Sequence, residues 1–260
     1  MHDRSELRTL HDLTNREPRR RELARLPNWT DTAFWGPEKA KQTVNQPNET
    51  PTLDGTFPRK GLGNPDHLDS FPNETLETIF SRRTIRRFTD EPIASETLDL
   101  IVDAGLRAPN GGACQAVIML VSQDAEVNRN LGRISLQMYK DGYYHVSDAQ
   151  PSAADDLSMK DGFYGAPVSI TVFTPSVWDV GQFDAAMSIE NMTLAAWSLG
   201  IGSCCVARAK ETFETGYGME VRHAAGIPDD YDAQLHLVLG HPKSTARDHR
   251  ELYPNRVAWI

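Results

Sequence analysis

The sequence predicts a layered fold, α+β or α/β, with a sheet covered by helices on both faces. Three observations predict it. Four short apolar, β-branched runs alternate with longer helix-patterned segments. Hydrophobic residues make up 39% of the chain, enough for a true core, yet no run of 18 apolar residues occurs that could span a bilayer. At 260 residues the chain suits one large domain, or one domain plus an arm.

Residues 1–72 read as the arm. They hold eight of the sixteen prolines, and at that density neither helix nor sheet propagates. Their 11 basic and 11 acidic residues cancel. A short Arg-, Glu- and Leu-rich helix is expected around 4–25, and the remainder is extended. Trp29, Phe34 and Trp35 are aromatics of a kind depleted in disordered chains. The arm is therefore expected to lie on a folded surface, of its own subunit or of a partner's.

A second domain-like stretch, 73–260, turns regular. Glu74–Ser81 reads as a helix. The next is opened by a Ser95 N-cap and carries Leu98, Ile101, Val102 and Leu106 on one face. The breaker cluster Ala108-Pro109-Asn110-Gly111-Gly112 ends it. A buried strand follows at 117–121, a helix at 124–140, and a polar, mobile excursion at 141–163. A second strand is expected at 168–173. The most apolar helix, 183–199, contains Asp184, Glu190 and Asn191, so it reads as central and buried and not as membrane-spanning. Strands at 201–206 and 235–239, with a short helix at 211–217 between them, complete the pattern.

The formal charge is −9, and residues 73–260 carry all of it. A net acidic chain lacks the positive field needed for sequence-independent binding to nucleic acid or an anionic membrane. The N-terminal residues have no apolar h-region, so no secretory signal is expected. Cys114, Cys204 and Cys205 are too few and too oddly spaced for a disulfide framework and read as free thiols in a reducing cytoplasm. Cys204 and Cys205, as strand neighbours, should point to opposite faces. No Walker A loop, complete G-x-G-x-x-G, H-E-x-x-H, C-x-x-C or G-x-S-x-G occurs. His236 and His241 flank the last expected strand, without a third ligand at metal-like spacing, so no metal site is expected.

One cluster stands out: Ser81-Arg82-Arg83-Thr84-Ile85-Arg86-Arg87-Phe88. Two readings are open. It is a solvated basic face at a helix C-terminus, which the macrodipole favours, or it is a set of arginine forks with a hydroxyl, suited to a phosphate.

With Pro92 and the helix ending Ala108-Pro109-Asn110, this cluster resembles the opening of the nitroreductase family of FMN flavoproteins. A second signature, similar to A-P-S-x-x-N-x-Q-P, stands as Ala108-Pro109-Asn110-Gly111-Gly112-Ala113-Cys114-Gln115-Ala116. A third, a buried helix running into L-G-L-G-T/S-C, stands as Ala195-Ala196-Trp197-Ser198-Leu199-Gly200-Ile201-Gly202-Ser203-Cys204-Cys205. Gly226-Ile227-Pro228-Asp229-Asp230-Tyr231 and Leu237-Val238-Leu239-Gly240-His241-Pro242-Lys243 match the stretch that follows. The resemblance covers roughly 73–260 and leaves the arm outside.

The resemblance implies a homodimeric, three-layer α+β fold with a mostly antiparallel sheet and two flavins at the subunit interface. Arg82, Arg83, Thr84 and Arg86 would hold the FMN phosphate and ribityl chain. Pro109, Asn110, Gly111 and Gln115 would line the flavin. Cys205, Val206, Ala207 and Arg208 would pass along the isoalloxazine, with a backbone N–H near N5. Arg250, or Arg247, would return to the phosphate. The implied activity is NAD(P)H-dependent reduction of a nitroaromatic, quinone or other conjugated small-molecule acceptor in the cytoplasm, with flavin-borne chemistry and no catalytic side chain. The alternatives are a specialised flavin enzyme (dehydrogenation of a biosynthetic intermediate, or reductive dehalogenation) and a non-catalytic flavin-binding protein. Two positions depart from the family: Ala113 replaces its Asn and Ala116 its Pro. Either Asn110 makes good the lost polar contact, or the flavin's electronics differ.

Overall fold

The computed structural model describes residues 73–140, 159–243 and 257–258. The 1–72 arm with its expected helix and aromatics, most of the 141–163 excursion, and Arg247 and Arg250 lie outside the described residues.

Among the described residues six α-helices and four strands follow one another as α1 (Glu74–Ser81), α2 (Ser95–Leu106), β1 (Ile118–Ser122), α3 (Ala125–Lys140), β2 (Val168–Pro175), α4 (Gly181–Ser198), β3 (Gly202–Val206), α5 (Ala209–Phe213), α6 (Gly216–Ala224) and β4 (Tyr231–Gly240). Helix α1 starts where the Asn73 side chain accepts the Leu76 N–H at 3.0 Å. Asp124 Oδ1 does the same for α3, accepting from Glu126 and Val127. At α2 the expected Ser95 cap is displaced by one residue. Ala94 occupies the cap position with no side-chain bond, and Ser95 is already helical. The single helix expected at 211–217 is two, because the Thr215 hydroxyl accepts the Gly218 N–H and caps α6 afresh.

The strands form one antiparallel sheet in the order β1-β2-β4-β3. Alternation along the strands sorts their side chains into two cores. On one face Val168, Ile170, Val172, Leu237 and Leu239 pack against Leu98 and Ile101 of α2 and Ala185, Ile189, Met192 and Ala196 of α4. On the other, Phe173, Cys204, Val206 and Val238 pack with Leu131 of α3 and Phe213 of α5. The α+β class with a covered sheet is therefore present as expected.

Two features correct the sequence reading. Strand β4 begins at Tyr231, four residues earlier than expected, so His236 is an interior residue of the strand and does not flank it. Its ring is fully buried, edge-on to Phe163 with centroids 4.8 Å apart. Helix α4 is not buried all round: Phe183 and Met187 are 59% and 47% exposed. Among the described residues no helix is long and apolar enough to cross a membrane, and no group of His, Cys, Asp or Glu could hold a metal ion.

Candidate functional site

The arginine-rich run leaves α1 and joins the free edge of β3. Thr84 bridges Ser203 in parallel, and the Ile85 N–H donates to the Ser203 carbonyl at 2.8 Å. Ile85 is buried against Gly202, where a Cβ would stand only 2.9 Å from the Ile85 side chain. This seat fixes which way the polar neighbours face.

The four candidates in the run have different surroundings. Arg82 is the C-cap of α1, half-buried, and its Nε is buried with no hydrogen-bond partner among the described residues. Arg83 turns back: its Nη1 donates to the carbonyls of Phe80, Ser81 and Arg82 at 3.0, 2.6 and 3.0 Å, satisfying the open end of α1. Thr84 is exposed. Arg86 lies over the Tyr164 ring, 5.8 Å from its centroid, and interacts with the Cys204 thiol. Burial raises the Tyr164 phenol and the neighbouring Cys204 raises it further, against the pull of Arg86.

The second group lies on the loop between α2 and β1. Gly111–Ala113 is a 3-10 turn, and Gly112, Ala113 and Gln115 have φ of 60°, 55° and 49°. Two L-residues in the left-handed region within three positions is strained backbone, of a kind that clusters at functional sites. Asn tolerates that region better than Ala, which gives a conformational reason for the Asn that the family resemblance leads one to expect at Ala113. Asn110 is engaged inside the loop. Its Oδ1 accepts the Gln115 N–H at 2.9 Å, and its Nδ2 faces the Ala108 carbonyl at 3.4 Å. Pro109 and Gln115 are exposed.

The third group follows along β3. Cys204 and Cys205 point to opposite faces, one buried and one exposed, and all three cysteines are free. Cys205 keeps an exposed side, yet desolvation pushes its thiol up to about 11, helped by Cys204 and Glu190. Burial also raises the Cys204 thiol. Neither sulfur is a thiolate at neutral pH, so neither is an activated nucleophile. Val206 is buried and Ala207 exposed. Arg208 is buried with φ 69°, and desolvation lowers its guanidinium to about 10 against the opposing effect of Glu211, so it stays charged.

These groups are not all gathered in one place. The arginine run and β3 are brought together. The loop is held elsewhere: its Gly111 N–H donates to Asp184 in the first turn of α4. The end of α1 is held by the last turn of the same helix, where Trp197 Nε1 donates to Ser81 Oγ at 2.9 Å. Trp197 lies thirteen positions beyond Asp184, about 20 Å along the helix axis. Within one chain the loop and the arginine run thus sit towards opposite ends of α4. Three residues near these groups escape a reading of the sequence as site residues: Asp184, Trp178 and Tyr164. A carboxylate in the first turn of an apolar helix is the only local sign of the first.

The nitroreductase family pattern matches residues 79–241, well over half of the chain, and the chain belongs to that family. It is 28% identical over 173 residues to an FMN reductase (NADPH) of Bacillus subtilis, an alignment covering 65% of this chain and 66% of that one. It is 25% identical over 175 residues to an NADPH-flavin oxidoreductase of Vibrio harveyi, with 65% and 66% covered. The chain therefore spans just under two thirds of the length of these two relatives. Its fold is similar to that of a nitroreductase with bound FMN from Desulfitobacterium hafniense, with a TM-score of 0.61 and 26% identity over 73% of this chain and all of that one.

Proposed function

We propose that this chain is an FMN-dependent oxidoreductase that takes reducing equivalents from NAD(P)H and passes them to a conjugated small-molecule acceptor, such as a nitroaromatic or a quinone. The observation that carries the reading is the buried Arg82 Nε without a partner among the described residues, beside an exposed Thr84 hydroxyl and the Arg86 guanidinium. A buried donor left unpaired is costly, and a phosphate oxygen would satisfy it with a charge-assisted bond. The donor set fits the phosphate end of FMN, and the relatives named above support the cofactor and the reductant.

In this reading Arg82, Thr84 and Arg86 hold the phosphate and ribityl chain, with Arg250 as a further cation. Arg83 contributes by fixing the end of α1. Pro109, Asn110, Gly111 and Gln115 line the flavin from one side, and Cys205, Val206, Ala207 and Arg208 from another. Bound FMN would supply the hydride transfer between nicotinamide and acceptor, while the protein binds and orients. The raised thiols give Cys204 and Cys205 no nucleophilic part in that chemistry. Purified protein should carry a flavin spectrum that NAD(P)H bleaches rapidly. Initial-rate lines for reductant and acceptor should be parallel, as for two substrates using one site in turn. An intersecting pattern would require a separate nicotinamide site, and a colourless protein that takes up no FMN would remove the reading altogether.

We also propose that the working unit is a homodimer with residues 73–260 of each copy forming the flavin domain. Two copies would bring one chain's loop to the other's arginine run, and the separation of the two groups along α4 supports that arrangement. The exposed Phe183 and Met187 of α4 and Leu100 and Leu106 of α2 supply apolar side chains for such contact. Solution mass should be near twice 29.0 kDa. A stable monomer that retains FMN would refute the shared site.

A further inference from the structure

Asp184 is 5% exposed, and a buried carboxylate needs strong partners. It lies in the first turn of α4, where the helix macrodipole favours its charge. Its hydrogen bonds, however, leave the helix. Oδ1 accepts the Gly111 N–H at 2.9 Å, and Oδ2 accepts the Trp178 Nε1–H at 2.9 Å. Both bonds are charge-assisted, and each comes from a different loop.

The two loops also touch. A Cβ on Gly111 would stand 2.8 Å from Val180 Cγ2 and 3.1 Å from Trp178 Cζ2, so only glycine lets the backbone come so close. The adjoining backbone is the strained stretch with positive φ at Gly112, Ala113 and Gln115. Strain of this kind persists only where the surroundings over-determine the conformation. Asn110 braces the stretch from within, through the Gln115 N–H. Asp184 braces it from outside.

We propose that Asp184 is a positioning residue of the flavin site: its carboxylate clasps the 110–115 loop and the Trp178 indole into a single wall. The role in flavin binding rests on the function proposed above; the clasp itself does not. Asp184 touches neither cofactor nor substrate in this scheme. It acts through the Gly111 backbone, holding the loop in its strained form, and through the indole packed against Gly111.

The test is Asp184→Asn, which keeps the shape but sets an amide donor against one of two N–H donors, so that one bond must fail. In the flavin-free protein the Trp178 indole proton should resonate downfield and exchange slowly, and the Gly111 amide should be protected. At least one of the two signatures should be lost in D184N. In the flavin-loaded protein FMN affinity should fall at least tenfold, and the visible circular dichroism of the bound flavin should change while the far-ultraviolet spectrum does not. A folded D184N with wild-type affinity and unchanged flavin dichroism overturns the positioning role. If D184N does not fold, Trp178→Phe decides, since it removes one donor only. It should weaken FMN about threefold and alter the flavin dichroism, and no change in either overturns the proposal. A wild-type protein that takes up no FMN counts against the flavin reading alone. The two flavin-free signatures then still judge the clasp, loss of either in D184N supporting it and persistence of both overturning it.

Discussion

Replacing Arg82 with Ala should weaken FMN binding by at least tenfold and leave the fold intact. Losing a charge-assisted contact to a bound phosphate costs about 1.5–3 kcal/mol, which is roughly ten- to hundredfold in affinity. Arg82 should show the full effect because its Nε is buried and unpartnered among the described residues, where a phosphate oxygen would be its acceptor. Arg82→Lys should recover only part of the affinity, since an ammonium restores charge without the planar fork. Arg107→Ala is the control: that side chain is exposed and ion-paired to Asp103 on α2, and its loss should leave FMN affinity unchanged. Equilibrium titration of flavin-free protein measures all three. Wild-type affinity in a folded R82A would return the arginine run to a solvated helix end.

By sequence alone Arg82 and Arg83 are indistinguishable: adjacent, identical, and both next to a hydroxyl. What separates them is the end of α1. At Arg82 the backbone leaves the helix with ψ 137°, and the next side chain folds back onto the three terminal carbonyls. A cap of that kind depends on where the helix stops, which periodicity locates only to within a residue or two. The same uncertainty accounts for the one-residue displacement of the Ser95 cap.

Elements with strong apolar patterning are legible in the sequence. All four strands and the long helices lie close to where alternation and 3.6-residue spacing place them. Strand β4 reads too short because Tyr231, Asp232 and Gln234 are polar and local patterning stops there. The pairing of Tyr231 with Pro175 of β2 carries the strand on. Long-range partners are not legible at all. Nothing near Asp184 in sequence indicates that it binds a backbone N–H 73 positions away. Nor does motif order reveal that the loop and the arginine run are fastened to opposite ends of one helix. Motifs tell which residues serve a common chemistry, whereas the path of the chain decides whether a single copy can assemble them.

His236 should make the protein lose stability as pH falls from 7 towards 5. Its ring is fully buried on β4 between Phe163 and Phe213, with Nδ1 2.8 Å from the Thr171 hydroxyl. Its Nε2 meets no hydrogen-bonding partner among the described residues, so a second ring proton would have nothing to bond. Desolvation lowers the folded pKa from 6.5 to about 3. With the folded pKa depressed, the unfolded chain binds a proton that the native state refuses. The contribution of His236 is therefore complete above about pH 6.5 and declines as pH falls through the interval between the two pKa values. From pH 7 to pH 5 the expected loss is about 2 kcal/mol, approaching the limiting slope of about 1.4 kcal/mol per pH unit. His236→Gln keeps a group able to bond Thr171 but cannot titrate. Urea unfolding at pH 7, 6 and 5 should show a stability gap between the two proteins that shifts by about 2 kcal/mol in favour of the variant as the pH falls. Every other group is common to the two proteins, and its contribution cancels in the difference. Parallel pH profiles for wild type and variant would mean that the native state accommodates a charged His236, and the sealed polar position in this core would have to be reread.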